Sequence, residues 1–424
     1  MKYSLKTLPN GMKILLVPSS EAQSVVVDFF VKTGSRSEAL KEHGISHFLE
    51  HFLFKGTQKY PTALAISELV DAIGGEMNAN TGKEHTQYFI KAHSKYLKFV
   101  FEILTQMLQY PLMDEVELNR EKGVIVEELN MYKDAPMYEI DNILEEAMWP
   151  QDALGRRIVG SKESVTSLTR EMFVDFMKRH YAPSNIILAI AGKFDPKEVT
   201  ALIKQHWLKV QDSKVKPYSA VTDKQDEPRV ALEYKETEQA HLAFGFKSLD
   251  YTDKRNPALS VASCIMGGGM SSRLFTEVRE RRGLAYYVRC SPLSYGDTGI
   301  FMVTAGVQVE KAPESIQVIL QELGKIHAHD IPDKEIEKAK NYIIGKTTLA
   351  LEDNQAKMDW YLDQVAFHQE IDTPKDYFKK IQAVTKNDIQ KVMKSIINKN
   401  NLTLAIIGPY KEKEVFERLL GSES

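Results

Sequence analysis

The sequence predicts an α+β protein of two homologous domains, each a mostly antiparallel sheet with helices packed mainly on one face. Its 424 residues exceed what one hydrophobic core usually serves. Strand-like apolar runs alternate with long amphipathic stretches, and no single Gly-rich dinucleotide fingerprint interrupts them. The chain also matches itself: NIILAIAGKFDPKEV from Asn185 lies opposite NLTLAIIGPYKEKEV from Asn401, at a constant offset of 216. Across residues 169–199 this ungapped pairing agrees at 11 of 31 positions, where chance gives roughly two. Duplication explains that register better than shared propensity does.

The elements follow in order. Pro9-Asn10-Gly11 is a turn, and Met12–Val17 reads as the strand directly after it. Val25–Val31, broken by Asp28, reads as a buried strand, and the mostly apolar Gly44–Phe54 as a helix. Asp114–Asp134 reads as a long helix rich in glutamate. In each half a helix (Thr169–Tyr181, Thr385–Ile397) leads to an apolar strand (Ile186–Ala191, Leu402–Ile407) that ends at Gly192 or Gly408, and another helix follows. The polar stretch Gln211–Pro228 is the natural linker. Domains are therefore expected at 1–212 and 229–424, joined by 213–228.

Composition removes several functions. A formal net charge of -3 and a pI near 6.4 give no global attraction for nucleic acid. Two cysteines, Cys264 and Cys290, cannot staple a secreted framework or supply a four-thiolate metal site. No apolar run approaches the roughly 18–20 residues of a membrane helix. The N-terminus has neither a signal-peptide core nor the Arg-rich character of a presequence. The expectation is a cytoplasmic protein with neither nucleic acid nor membrane as partner.

GISHFLEHFLF, from Gly44, places His47 and His51 four residues apart on one helix face, close enough to grip one ion. Glu50 lies beside them, in the inverted order H-x-x-E-H that leaves the Glu free to act as a general base. Zinc needs a third protein ligand from elsewhere and an open fourth position for water. The Asp114–Asp134 helix offers Glu115, Glu117, Glu121, Glu127 and Glu128. Spacing alone does not choose between Glu127 and Glu128.

HFLEH, followed 77 residues after its second His by Glu128 within E-x6-E, resembles the pitrilysin/insulinase family of zinc metallopeptidases, in its short, processing-peptidase-like branch. The resemblance makes Glu128 the third ligand of one zinc ion per chain and Glu121 an accessory glutamate that supports the site without binding metal. GGEMNANTGKEHTQYF, from Gly74, is similar to the family's active-site edge strand, with Asn78 and Ala79 at positions that contact the substrate backbone. An edge strand suits this, because its free N–H and C=O groups can pair with an extended peptide. VRERRGLAYYV, from Val278, looks like the signature whose Arg and Tyr complete the active site, here Arg279 and Tyr286, with Tyr287 a competing choice. GGGMSSRLF, from Gly267, resembles a substrate-guiding segment and reads equally well as a helix break and restart.

The resemblance covers essentially the whole chain, which is about half as long as the single-chain insulinase type. It implies a zinc-dependent endopeptidase that cleaves unfolded peptides inside a chamber closed by a homodimer. A non-catalytic assembly subunit is the alternative, and the intact set His47, Glu50, His51 and Glu128 speaks against it. At offset 216 the His pair faces Ser263–Gly267, and offset 220 sets Thr348 opposite Glu128, so only the first half is expected to hold zinc.

Overall fold

The computed structural model describes residues 2–328, 330–368 and 370–421. It holds two compact units: Met1–Met131 with Arg156–Ser219 and Ala350–Ile371, and Tyr132–Gly155 with Ala220–Leu349 and Asp372–Ser424. The first unit is built on β1 (Ser4–Thr7), β2 (Lys13–Pro18), β3 (Ser24–Val31), β4 (Glu76–Thr81), β5 (Thr86–His93) and β6 (Ile186–Gly192), in the order β1-β2-β6-β3-β5-β4. The second contains β7 (Arg229–Tyr234), β8 (Gln239–Ser248), β9 (Ala285–Ser294), β10 (Gly299–Gln308) and β11 (Leu402–Gly408), in the order β7-β11-β8-β10-β9. Each sheet is antiparallel except for one pair, β2 with β6 and β7 with β11. The 216-residue repeat is visible here: shifting β2 and β6 by that offset lands on β7 and β11, residue for residue.

The central strands β3, β6 and β11 are apolar on both faces because both faces are covered. In β3, Val25, Val27, Phe29 and Val31 enter the main core, with the helices Ile45–Phe52, Leu97–Gln109, Arg170–His180 and Pro196–His206. Val26 and Phe30 point the other way, joining Leu15, Val17, Ile187 and Ala189 beneath Met358, Tyr361, Leu362 and Val365 of the Asn354–Phe367 helix. The second sheet is treated alike: Ile140, Leu144 and Met148 of the Pro136–Met148 helix cover Ala243, Ile300, Ala405 and Ile407.

That covering corrects the contiguous boundaries 1–212 and 229–424. Residues 132–155 pack with the second unit and residues 350–371 with the first, because each sheet has a second apolar face that its own half of the sequence leaves bare. The linker also divides earlier. Tyr218 lies under the Arg36 guanidinium at 4.1 Å and the Ser219 carbonyl accepts from Arg36 at 3.1 Å, whereas Val221 and Thr222 bind Asp297 and Asp152 of the second unit. Among the described residues no helix is long and apolar enough to cross a membrane.

Asp28 breaks the apolar face of β3. Both of its carboxylate oxygens are buried without a hydrogen-bond partner among the described residues, as is Oδ1 of Asp359. Burial, and then the charges of Asp359 and Asp363, push Asp28 well above the ordinary carboxylate range. Burial and neighbouring aspartates raise Asp359 to about 7, and burial raises Asp363 to about 6. The folded first unit therefore keeps protons that the unfolded chain releases near the ordinary value of 3.8, and its stability falls as pH rises from there toward 7. Asp359→Asn, neutral at every pH, should flatten that slope. Urea midpoints recorded from pH 4 to 8 check it, and an unchanged slope would contradict the assignment.

Candidate metal centre

The Ile45–Phe52 helix is amphipathic by its own spacing. Ile45, Phe48, Leu49 and Phe52 are buried in the core, which turns His47, Glu50 and His51 to the other side. Its start is fixed tightly. Gly44 has φ of +91°, and a Cβ there would stand 2.7 Å from the Val159 carbonyl oxygen, so only glycine fits. Glu38, buried beside it, accepts from the Gly44 and Ser46 N–H groups at 2.8 Å each, capping the helix from outside its own sequence. Burial lifts the Glu38 carboxyl to about 8 despite those hydrogen bonds.

The His47 and His51 rings lie 4.7 Å apart, centroid to centroid. Glu128 reaches both from the Glu115–Asp134 helix, with an oxygen 3.5 Å from Nε2 of each. One donor atom from each of the three residues falls within 4.8 Å of the others, the one such group of His, Cys, Asp and Glu among the described residues. Glu127, about 100° round the same helix, is exposed.

Behind this group, His51 Nδ1 meets Glu121 Oε1 at 2.9 Å, and Lys55 Nζ holds Glu121 Oε2 at 2.6 Å. A neutral His51 donating from Nδ1 presents the Nε2 lone pair to an ion, the second-sphere arrangement that orients metal-bound imidazoles. Burial draws the His51 pKa down, but the Glu121 hydrogen bond and the charges of Glu128, Glu121 and Glu50 outweigh it and the net shift is upward. Burial alone would raise Glu121; its bonds to His51 and Lys55 bring it below the usual range. Three carboxylates thus gather here, and the Lys55 ammonium is paired with Glu121. Two imidazoles and a carboxylate with converging donor atoms fit a divalent cation with an open coordination position.

Glu50 is not one of the three grouped residues. Its Oε2 accepts from Thr81 Oγ1 at 2.5 Å, the one hydrogen bond to Glu50 among the described residues. Thr81 ends β4, an edge strand of its sheet. Asn78 is exposed on that strand, and its Oδ1 accepts from the Ala79 N–H at 2.9 Å.

Arg279 and Tyr286 belong to the second unit. Arg279 lies over the Phe275 ring at 4.9 Å, within a wide-turn helix, Phe275–Arg281. Tyr286, near the start of β9, is 57% exposed, whereas the Tyr287 hydroxyl is engaged by His241 Nδ1 at 3.1 Å. GGGMSSRLF is a helix break and restart, between Asn256–Gly267 and Phe275–Arg281. Sequence reasoning missed Glu38, Lys55 and Thr81. Lys55 carried a signal, four residues after His51 on the same turn register; Glu38 and Thr81 arrive by tertiary folding.

Two family models match this chain: Insulinase (Peptidase family M16) over residues 13–162 and the Peptidase M16 inactive domain over residues 167–343. The chain belongs to the insulinase family, M16. A relative from Streptomyces coelicolor, named an uncharacterized zinc protease, is 34% identical over 96% of this chain and 90% of its own length. A Bacillus subtilis relative with the same description is 34% identical over 83% of this chain and 85% of its own. Among solved structures, a protease from Helicobacter pylori superimposes with a TM-score of 0.90 at 24% identity, covering 96% of this chain and all (100%) of that one. The periplasmic protease PqqL of Escherichia coli gives 0.82 at 18% identity, with this chain spanning 50% of its length. These structures share the fold, and the M16 relatives support a peptidase-type function.

Glu128→Gln should weaken zinc binding by more than the roughly 10–100-fold typical of losing an outer-sphere partner, whereas Glu127→Gln should leave it within about twofold. Competition against a chromophoric chelator measures both, and the reverse ranking would sink the choice of Glu128.

Proposed function

We propose that this M16 chain is a zinc-dependent endopeptidase that cleaves unfolded peptides laid as an extended strand along β4. The observation that carries the reading is the grouping of His47, His51 and Glu128 within 4.8 Å, with Glu50 on the same helix and hydrogen-bonded to the open edge strand. One zinc ion per chain, held by those three residues, would supply a Lewis acid that makes a water nucleophilic near neutral pH and polarises the scissile carbonyl. Glu121, hydrogen-bonded to His51 and paired with Lys55, keeps the His51 Nε2 turned inward.

Glu50 takes the proton of the attacking water at the oxygen that Thr81 does not occupy, and returns it to the leaving amine. The peptide backbone pairs with β4 around Asn78 and Ala79, where the Asn78 side chain must first release the Ala79 N–H. In a dimer, Arg279 and Tyr286 of a second copy of the chain would complete the reaction chamber, Tyr286 as an oxyanion donor and Arg279 binding a substrate carbonyl or placing the tyrosine. The exposure of Tyr286, against the engagement of Tyr287 by His241, supports that choice of tyrosine. The active species in this reading is a homodimer, closed by the commonest symmetry of soluble oligomers.

The test is turnover of an unstructured peptide. Chelation should abolish it, one equivalent of zinc should restore it, and Glu50→Gln should lose several orders of magnitude while keeping wild-type zinc content. Mixing Glu50→Gln with Tyr286→Phe chains should recover roughly a quarter of wild-type activity if sites are shared across a dimer. Mixed dimers seen by native mass spectrometry without recovery would exclude the shared site, and turnover that survives Glu50→Gln would exclude the mechanism.

A further inference from the structure

The alternation of β4 decides which of its side chains reaches the histidine helix. Glu76, Asn78 and Asn80 face outward and are exposed, whereas Met77, Ala79 and Thr81 are half-buried on the opposite face. Met77 and Ala79 pack against the core that also contains Ile45, Phe48 and Leu49 of the histidine helix. Thr81, next in that row, therefore meets the helix where it turns polar, and its hydroxyl donates to Glu50 Oε2 at 2.5 Å. Opposite Thr81 in the ladder stands Thr86, whose buried hydroxyl is bound to the Thr33 carbonyl at 2.9 Å. The end of β4 is thus anchored on one side while its hydroxyl reaches the glutamate on the other.

We propose that Thr81 is the positioning residue for the Glu50 carboxylate, tying the base to the strand on which the peptide is laid. This rests on the peptidase reading given above. A glutamate carboxylate rotates broadly about its last torsion, and a base delivers its proton well only when one oxygen is aimed at the reacting water. The Thr81 hydrogen bond occupies Oε2 and leaves Oε1 as the proton acceptor. The same hydrogen bond can persist when Oε1 carries the proton, because Oε2 is then the carbonyl oxygen and still accepts. Thr81 also lies three residues from Asn78 and two from Ala79, about 10 and 7 Å along an extended strand. A peptide that orders the strand there orders the hydroxyl holding the base.

Thr81→Val keeps the shape of the side chain and the strand propensity while removing the donor; Thr81→Ser keeps the donor. Thr81→Val should lower kcat by about 10–100-fold, the usual cost of losing an outer-sphere partner, with KM, zinc content and thermal midpoint close to wild type. Thr81→Ala should match Val, and Thr81→Ser should recover most of kcat. In crystals of the zinc-loaded variants, Glu50 should be ordered in wild type and Ser and spread over rotamers in Val. A Val variant with kcat within twofold of wild type would overturn the proposal. So would a loss confined to KM or to zinc content, or a Ser variant as impaired as Val. Glu50→Gln run in parallel separates the two claims: an active Glu50→Gln sinks the peptidase reading itself, whereas an inactive Glu50→Gln beside a normal Thr81→Val sinks only the role of Thr81.

Discussion

The organisation of the first unit depends on holding like charges together. Glu50, Glu121 and Glu128 gather round two imidazoles, and the Lys55 ammonium is paired with Glu121. Carboxylates placed that closely resist one another unless protons, cations or hydrogen bonds intervene. Here the lysine and His51 satisfy Glu121, Thr81 holds Glu50, and Glu128 reaches toward both histidines. A dication is the group whose charge and ligand preference complete such an arrangement. The second unit repeats the topology with Ser263 and Cys264 in the equivalent helix, where the Cys264 thiol bonds to the Ala339 carbonyl and burial raises it to about 11. The duplicated fold does not demand the charges; the chemistry does.

The scaffold around that centre is arranged to fix the helix before any ligand arrives. Gly44 admits a close approach to the Val159 carbonyl, Glu38 caps two N–H groups, and Ile45, Phe48, Leu49 and Phe52 lock the other face into the core. The helix is only eight residues long, too short to be stable alone, so its geometry is wholly a product of these neighbours. β4 contributes the opposite quality. It is an outer strand with exposed residues, open to pairing, and it touches the rigid helix through a side chain, Thr81, that carries a hydroxyl.

Much of this was legible in the sequence. Strand bounds predicted from apolar runs fall within a residue of those observed for β2, β3, β6 and β11, because both-face burial writes an unbroken hydrophobic run. The repeat offset located corresponding strands, because duplication preserved their register. H-x-x-E-H was readable because both histidines sit on one helix, so that sequence spacing is spatial spacing. The exchange of the Pro136–Met148 and Asn354–Phe367 helices was not readable. Apolar residues such as Leu144 and Met358 say that a face is buried but not which sheet buries it. Glu38 and Thr81 escaped for a related reason: each meets the histidine helix from an element distant in sequence, and nothing in a Glu or a Thr taken alone announces the partner.

The chemistry of this centre depends on the ion and its ligands. X-ray absorption at the zinc K-edge, on the chain loaded with one equivalent, tests it most directly. It predicts a four-coordinate centre with two imidazole nitrogens at about 2.0–2.1 Å and two light-atom donors, one a carboxylate oxygen. Replacing Glu128 by Gln should remove or lengthen that oxygen shell while both imidazole contributions remain. A spectrum containing sulfur, a single imidazole, or no change on replacing Glu128 would contradict it.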